Sequence, residues 1–194
     1  MGAGSNGDGR IFQIKITLKG ISKPPVWRRI LVFPGIRLDQ FHDTIQAAMR
    51  WLDYHMHLFS TETGEYGSAD PELGHRDDGR ITLARVLGEP GDRLIYTYDF
   101  GDDWDHDVVL EQELPTEPGA RYPRCVAGKG ACPPEDCGGP WGYADLRALL
   151  ADPTADGHDE MLEWLGVASA AEFDPAAFDV DAVNESLASL GAVR

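Results

Sequence analysis

The chain has 194 residues, 42% of them apolar and 26% charged, which suits one sizeable globular domain or one domain with a helical annex. Its formal net charge of −16 repels nucleic-acid phosphate and anionic membrane at long range. No apolar run is long enough to span a membrane, and the start MGAGSNGDGR lacks the apolar core of a signal peptide.

Residues 1–10 are expected to be disordered. From Ile11 the pattern alternates: Phe12, Ile14, Ile16 and Leu18 face one way, Gln13, Lys15 and Thr17 the other, as in a half-buried strand. A turn over Gly20 to Pro25 leads to a second strand, Val26 to Phe33, with Arg28 and Arg29 inside it. Leu38, Phe41, Ile45, Ala48, Met49 and Leu52 recur at helical spacing and predict a helix over 38–52, with His42 beside its apolar face. Tyr54 to Ser60 reads as a strand that places His55, His57 and Phe59 on one face. Two histidines so placed can converge on a metal. The polar, Gly-rich stretch from Thr61 to Arg80 reads as a long loop holding at most a short strand near Glu65-Tyr66. Ile81 to Leu87 reads as a short strand or one helical turn.

The most distinctive stretch is YTYDFGDDWDH, Tyr96 to His106. Arg93 to Phe100 forms one strand, an acidic turn follows at Gly101-Asp102-Asp103, and Trp104 to Glu113 forms the partner. Asp99, Asp102, Asp103 and Asp105 crowd this hairpin, and Trp104 and His106 share a strand face with Val108 and Leu110. Residues 115–142 are a Pro/Gly-rich loop carrying Cys125, Cys132 and Cys137. An odd cysteine count argues against a purely disulfide framework, with one pair plus a free thiol as the alternative, and a reducing cytoplasm is the expected location. Helices are predicted over Tyr143–Leu150, His158–Leu165 and Val180–Leu190, with Asp174-Pro175 as a helix-start signal. Trp104, Trp141 and Trp164 are expected to be partly buried between sheet and helices.

The fold class expected is α+β: a mainly antiparallel sheet of about five strands, a covering helix, and a carboxy-terminal helical region. The domain spans 11–190, divided into sheet plus helix (11–114), loop (115–142) and helical part (143–190). Charge is uneven along it. Residues 1–50 carry eight Lys or Arg against three Asp or Glu, while residues 151–194 carry one Arg against ten Asp or Glu. The basic part can dock an acidic surface, its own tail included.

Two constellations can carry chemistry. Glu135 and Asp136, with Asp99 and Asp102, form a candidate carboxylate cluster for a divalent cation or for acid and base roles. Cys125 and Cys132, joined by His106 or His158, form a candidate zinc site of mixed sulfur and nitrogen donors. The alternative for Cys132 is a small buried hydrophobe beside a rigid Pro133-Pro134 turn. The phosphate-binding loop, dinucleotide fingerprint, serine elbow and zincin helix are all missing from the sequence.

Several stretches together resemble the plasmid pRiA4b ORF-3-like family, also labelled passenger proteins of insertion elements with a resolvase-like name. They are Val26-Trp27-Arg28-Arg29, HMHLF (His55 to Phe59), YDFGDDWDH (Tyr98 to His106), CPPEDCGG (Cys132 to Gly139), Gly142-Tyr143 and Phe173-Asp174-Pro175. The resemblance covers Ile11 to Leu190 and implies an α+β fold with a helical carboxy-terminal part. It implies no reaction. No recombinase serine setting or basic recognition helix accompanies the resolvase-like label, so direct duplex DNA binding is not expected. The leading functional expectation is an accessory or protein-interaction domain associated with plasmids or mobile elements, working through a protein partner. The alternative is a metal-dependent, hydrolase-like enzyme using zinc or another divalent cation. Its metal site would draw on His57, Asp102, His106, Cys132 or Glu135, and the wider candidate functional cluster is His55, His57, Asp99, Asp102, Trp104, His106, Glu135 and Asp136.

Overall fold

The computed structural model describes residues 9–68, 70 and 74–191. Eight strands form one sheet: β1 (Arg10–Ser22), β2 (Pro25–Val32), β3 (His57–Thr61), β4 (Gly64–Gly67), β5 (Arg76–Asp77), β6 (Arg93–Tyr98), β7 (Trp104–Pro115) and β8 (Arg124–Lys129). Their order across the sheet is β5-β4-β3-β6-β7-β1-β2-β8. All pairings are antiparallel except β4 with β5. The helices are α1 (Leu38–Met49), α2 (Leu83–Val86), α3 (Gly139–Ala151), α4 (His158–Leu165) and α5 (Val180–Ser189).

This corrects the expected sheet of about five strands. The five expected strands are present, but three more flank them. β4 and β5 lie inside the Gly-rich 61–80 stretch and β8 inside the Cys/Pro/Gly-rich 115–142 stretch. They are short, and their side chains alternate too little to announce a strand. Pairing with β3 and β2 supplies the hydrogen bonds that composition does not foretell. The expected disordered start also differs: Arg10 already opens β1, and residues 1–8 lie outside the described residues.

One sheet face is buried. On it lie Ile14, Ile16 and Leu18 of β1, Val26 and Ile30 of β2, Phe59 of β3, Tyr96 and Tyr98 of β6, and Trp104, Val108 and Leu110 of β7. Cross-strand register aligns Tyr96 with His106 and Tyr98 with Trp104. The alternation read from sequence is therefore the alternation between core and outer face. α1 lays Leu38, Phe41, Ile45, Ala48 and Met49 onto that core. α5 adds Val183 and Leu187, and α3 adds Tyr143 and Leu146. Asn184 of α5 accepts from Cys125 N–H at 2.8 Å and donates to Cys125 C=O at 2.9 Å, so its amide acts as a further strand partner at the β8 edge.

The arginine pair of β2 splits between the faces. On the outer face Arg29 forms a bidentate pair with Glu111, at 2.6 and 2.9 Å. Arg28 is buried. It donates to the carbonyls of Ala48, Trp27 and Lys129 at 2.9–3.1 Å and lies over the Phe178 ring. It thus ties β2 and the end of β8 to the electronegative carboxyl end of α1.

Other expectations shift locally. Asp174-Pro175 makes a turn in which Asp174 accepts from Ala176 N–H, and Asp179 caps α5 through Asp181 and Ala182. Of the three tryptophans, Trp104 is buried, Trp164 is half exposed and Trp141 is 85% exposed. Trp141 sits in the first turn of α3, on the side facing solvent.

Candidate functional site

The loop between α1 and β3, residues 50–56, is held from below by Tyr98. The Tyr98 hydroxyl accepts from Tyr54 N–H and His55 N–H and donates to Glu135 Oε1 at 2.6 Å. The other Glu135 oxygen accepts from Leu52 N–H at 2.8 Å. Glu135 therefore fastens the CPPEDCGG segment to the 50–56 loop, and His55 projects from that junction. His55 precedes β3, so it does not share the strand face of His57 as the alternation predicts.

The β6–β7 turn supplies the second member. Asp99 Oδ1 accepts from Gly101 N–H at 2.9 Å and Asp102 N–H at 3.4 Å, and its own N–H donates to Met56 C=O. These bonds close an Asx-type turn with Asp99 in the left-handed region, at φ 58°. Aspartate tolerates that region better than most residues. Oδ1 is thereby committed to the turn, and Oδ2 faces His55 Nε2 at 3.6 Å. Asp136, also left-handed at φ 59°, brings Oδ1 to 2.9 Å from the same nitrogen. Asp102 positions this third member indirectly: its Oδ2 accepts from Gly138 N–H at 3.1 Å. Gly139 then passes so close to the Asp102 backbone that a Cβ there would overlap the Asp102 carbonyl oxygen.

HMHLF, YDFGDDWDH and CPPEDCGG thus each contribute one group to a single cluster: His55, Asp99 and Asp136, with donor atoms within 4.8 Å of one another. Glu135 and Asp102 hold the frame. Leu52, Tyr54, Met56, Phe100 and Trp141, all exposed by 44% or more, belong to the same three segments and their continuation into α3.

A second His/carboxylate cluster lies on the other side of the loop: His42, Asp43 and Asp53. His42 Nε2 contacts Asp53 Oδ1 at 2.9 Å, and its Nδ1 contacts the Tyr96 hydroxyl at 2.7 Å. Gln46 also donates to that hydroxyl. The His42 ring stacks on His57, centroids 3.6 Å apart, and His57 Nε2 meets Asp78 Oδ2 at 2.7 Å. Burial, then the neighbouring His57, push His42 down to about 4. His57 is thus a buried partner of Asp78. Sequence reading missed Asp53, Asp78 and Gln46 because each is unremarkable in its own segment, and it gave Tyr96 no role beyond its place in the distinctive hairpin. Both His/carboxylate clusters could coordinate a divalent ion.

The sulfur-containing candidate set is dispersed. His106 is fully buried under Tyr96 and Trp51, and burial pushes it down to about 4. His158 contacts the Leu149 carbonyl through Nδ1 at 2.8 Å, at the α3–α4 junction. Cys125 is buried, and its thiol points at the Ala127 carbonyl. Burial raises the Cys132 thiol far above its ordinary range and pushes Cys137 up to about 12. Neither cation-competent cluster among the described residues includes a cysteine. Trp104 is a core residue stacked near Trp51.

The plasmid pRiA4b ORF-3-like protein family matches residues 10–182. The chain belongs to this family. Its relatives include the uncharacterized protein y4hQ of Sinorhizobium fredii, 36% identical over 185 residues that cover 94% of this chain and 93% of that protein. The fold is shared with the crystal structure of MM3350, a protein of unknown function from Methanosarcina mazei Go1. The TM-score is 0.80 at 34% identity, covering 89% of this chain and 96% of that one. The chain is therefore a pRiA4b ORF-3-like α+β protein. Among its described residues no helix is long and apolar enough to cross a membrane.

Proposed function

We propose that this pRiA4b ORF-3-like chain is an accessory, protein-interaction domain, and that its partner docks on the face built from loop 50–56, the β6–β7 turn and the start of α3. One observation carries the reading. Of eight exposed large apolar residues among those described, five (Leu52, Tyr54, Met56, Phe100 and Trp141) belong to these joined segments. Exposed apolar patches rimmed by polar groups are typical of docking surfaces, and aromatic side chains anchor them. The same segments carry the carboxylates Asp102, Asp103 and Asp136, which suits a partner surface with apolar pockets and basic neighbours.

The test is site-specific photo-crosslinking of the full chain in its host, with benzoylphenylalanine in place of Tyr54, Trp141 or, as control, Trp164. The reading expects one adduct mass shared by positions 54 and 141 and absent at 164. No adduct, or the same adducts at all three positions, overturns it. Duplex DNA is not the partner in this reading, because the net charge of −16 opposes it. Submicromolar, salt-sensitive fluorescence anisotropy with free duplex would contradict that.

A second reading, a metal-dependent hydrolase-like activity, is favoured by the His55–Asp99–Asp136 geometry. A bound cation there would activate water, with a carboxylate at hand as base. Hydrolysis of an activated phosphodiester in the presence of Zn2+ or Mn2+, lost in His55→Gln, would support it. Rates equal to those of metal alone would remove it.

A further inference from the structure

We infer that His55 Nε2, Asp99 Oδ2 and Asp136 Oδ1 bind one divalent transition-metal ion, with zinc as its representative. The inference goes beyond the docking reading and stands or falls independently of any partner. Three observations lead to it.

The first is the spacing. Asp136 Oδ1 lies 2.9 Å and Asp99 Oδ2 3.6 Å from His55 Nε2. Donors about 2.1 Å from a shared ion lie roughly 3.0 Å apart at right angles and roughly 3.6 Å apart at a trigonal angle. Both distances from His55 Nε2 therefore suit a shared coordination sphere, and all three donor atoms lie within 4.8 Å of one another.

The second is an orphaned atom. His55 Nε2 is shielded from solvent yet makes no hydrogen bond, although two carboxylates are in reach. Asp136 Oδ1 is close enough, but it lies off the ring N–H direction. The Asp99 side chain is mostly buried, and its Oδ1 is taken by Gly101 and Asp102 N–H while Oδ2 faces His55. A buried ring nitrogen left without a hydrogen bond while two carboxylate oxygens converge on it is arranged for a third body. A proton on Nε2 would serve only one carboxylate. A cation serves all three groups and balances the two negative charges.

The third is how the frame treats the neighbouring carboxylates. Glu135 uses both oxygens on Leu52 N–H and the Tyr98 hydroxyl, and Asp102 uses Oδ2 on Gly138 N–H. The acids nearest the cluster are thus consumed in holding the three segments, while the facing oxygens of Asp99 and Asp136 remain available. One imidazole with two carboxylates and no thiolate suits a borderline divalent ion such as Zn2+ or Mn2+ better than a sulfur-seeking one. Three protein ligands also leave a position for water or a ligand group on the outer side, where Asp136 is exposed.

The test titrates the full chain with Zn2+ by calorimetry and with Co2+ by visible spectroscopy, after metal is stripped with chelator. Wild type is expected to bind one ion per chain, with Co2+ bands free of thiolate charge transfer. Asp136→Asn and His55→Gln are each expected to weaken Zn2+ at least about tenfold, since losing even an outer-shell partner costs that much. Asp53→Asn, in the other cluster, and Cys132→Ser are expected to bind as wild type. Thermal melts in chelator identify any variant that fails to fold. If His55→Gln does, Asp136→Asn decides alone, because that side chain is exposed. No saturable binding, binding unaffected by Asp136→Asn, thiolate charge transfer with Co2+, or loss in either control overturns the assignment.

Discussion

The Tyr98 hydroxyl lies 2.6 Å from Glu135 Oε1 and donates to it, so one phenol on the central hairpin holds a carboxylate 37 residues away in sequence. Burial first, then the bond to Glu135, raise the Tyr98 pKa well above its ordinary value, so the hydroxyl stays protonated throughout the neutral range. Its two lone pairs receive the N–H groups of Tyr54 and His55, at 2.9 and 3.3 Å. The site's geometry therefore rests on a residue that takes no part in its chemistry.

Tyr98→Phe keeps the ring in the core but leaves two backbone donors and one carboxylate oxygen without their partner. Unsatisfied groups of this kind cost about 1–3 kcal/mol. Chemical denaturation is expected to show a loss in that range. Amide exchange is expected to speed up at Tyr54 and His55 while β1 and β2 stay protected. Unchanged exchange at those two amides would mean that the loop is held by other contacts.

The sequence announced the two-residue periods well. Phe12 to Leu18 and Leu94 to Tyr98 alternate because one side of each strand meets the core and the other the outer face; the expected continuation to Phe100 fails, since that residue lies in the turn beyond β6 and is exposed. Position 38–49 shows its helix because Leu38, Phe41, Ile45 and Ala48 must share one face. β5 and β8 were illegible, and β4 showed only as an optional short strand near Glu65-Tyr66, because their strand character comes from a neighbour's ladder rather than from their own residues. The site was half legible. Asp99, Glu135 and Asp136 stood out as acids in distinctive stretches, and His55 as one of a pair. Their convergence depends on Tyr98, Glu135 and Asp102 joining segments far apart in sequence, and no period encodes that. Trp141 was misjudged for a related reason: its helix begins at a Gly-Gly turn that directs the first turn outward.

Arg28 supplies a second prediction. It is a buried cation whose side-chain hydrogen bonds all go to main-chain carbonyls, at the junction of α1, β2 and β8. Lysine cannot reproduce the three-way geometry, because the planar guanidinium fork is lost. Arg28→Lys is expected to destabilise the chain by roughly 2–3 kcal/mol, the scale of hydrogen bonds to a charged group. The urea midpoint is the measurement. A midpoint equal to wild type would show that lysine reaches the same carbonyls.

Gly139 supplies a third. It sits at φ 67°, and a Cβ there would overlap the Asp102 carbonyl oxygen, so Gly139→Ala must move α3 away from the β6–β7 turn. That shift would lengthen the Gly138–Asp102 hydrogen bond and carry Asp136 and Trp141 with it. The expected result is a modest loss of stability, about 1–3 kcal/mol, with a changed Trp141 emission maximum. Wild-type fluorescence in this variant would place the strain elsewhere.

The last prediction concerns acid. His42 and His106 are both buried, and desolvation brings each from an ordinary 6.5 to about 4 in the folded chain. Between these values the unfolded chain binds a proton at each site and the folded chain does not. Stability therefore rises with pH across this window, by up to about 1.4 kcal/mol per pH unit for each histidine. It is fully present above about 6.5, is lost as pH falls toward 4, and levels off below that as far as these two groups are concerned. His106→Phe isolates one contribution. His106 packs among Tyr96 and Trp51, and its Nδ1 contact to the Tyr96 carbonyl is long, at 3.3 Å, so an aromatic ring can replace it. Urea unfolding at half-unit steps from pH 4 to 7.5 should give a shallower dependence for His106→Phe than for wild type, with the two lines diverging below about 6.5. Parallel lines would mean that His106 takes up its proton in the folded chain as readily as in the unfolded one, which its buried setting opposes.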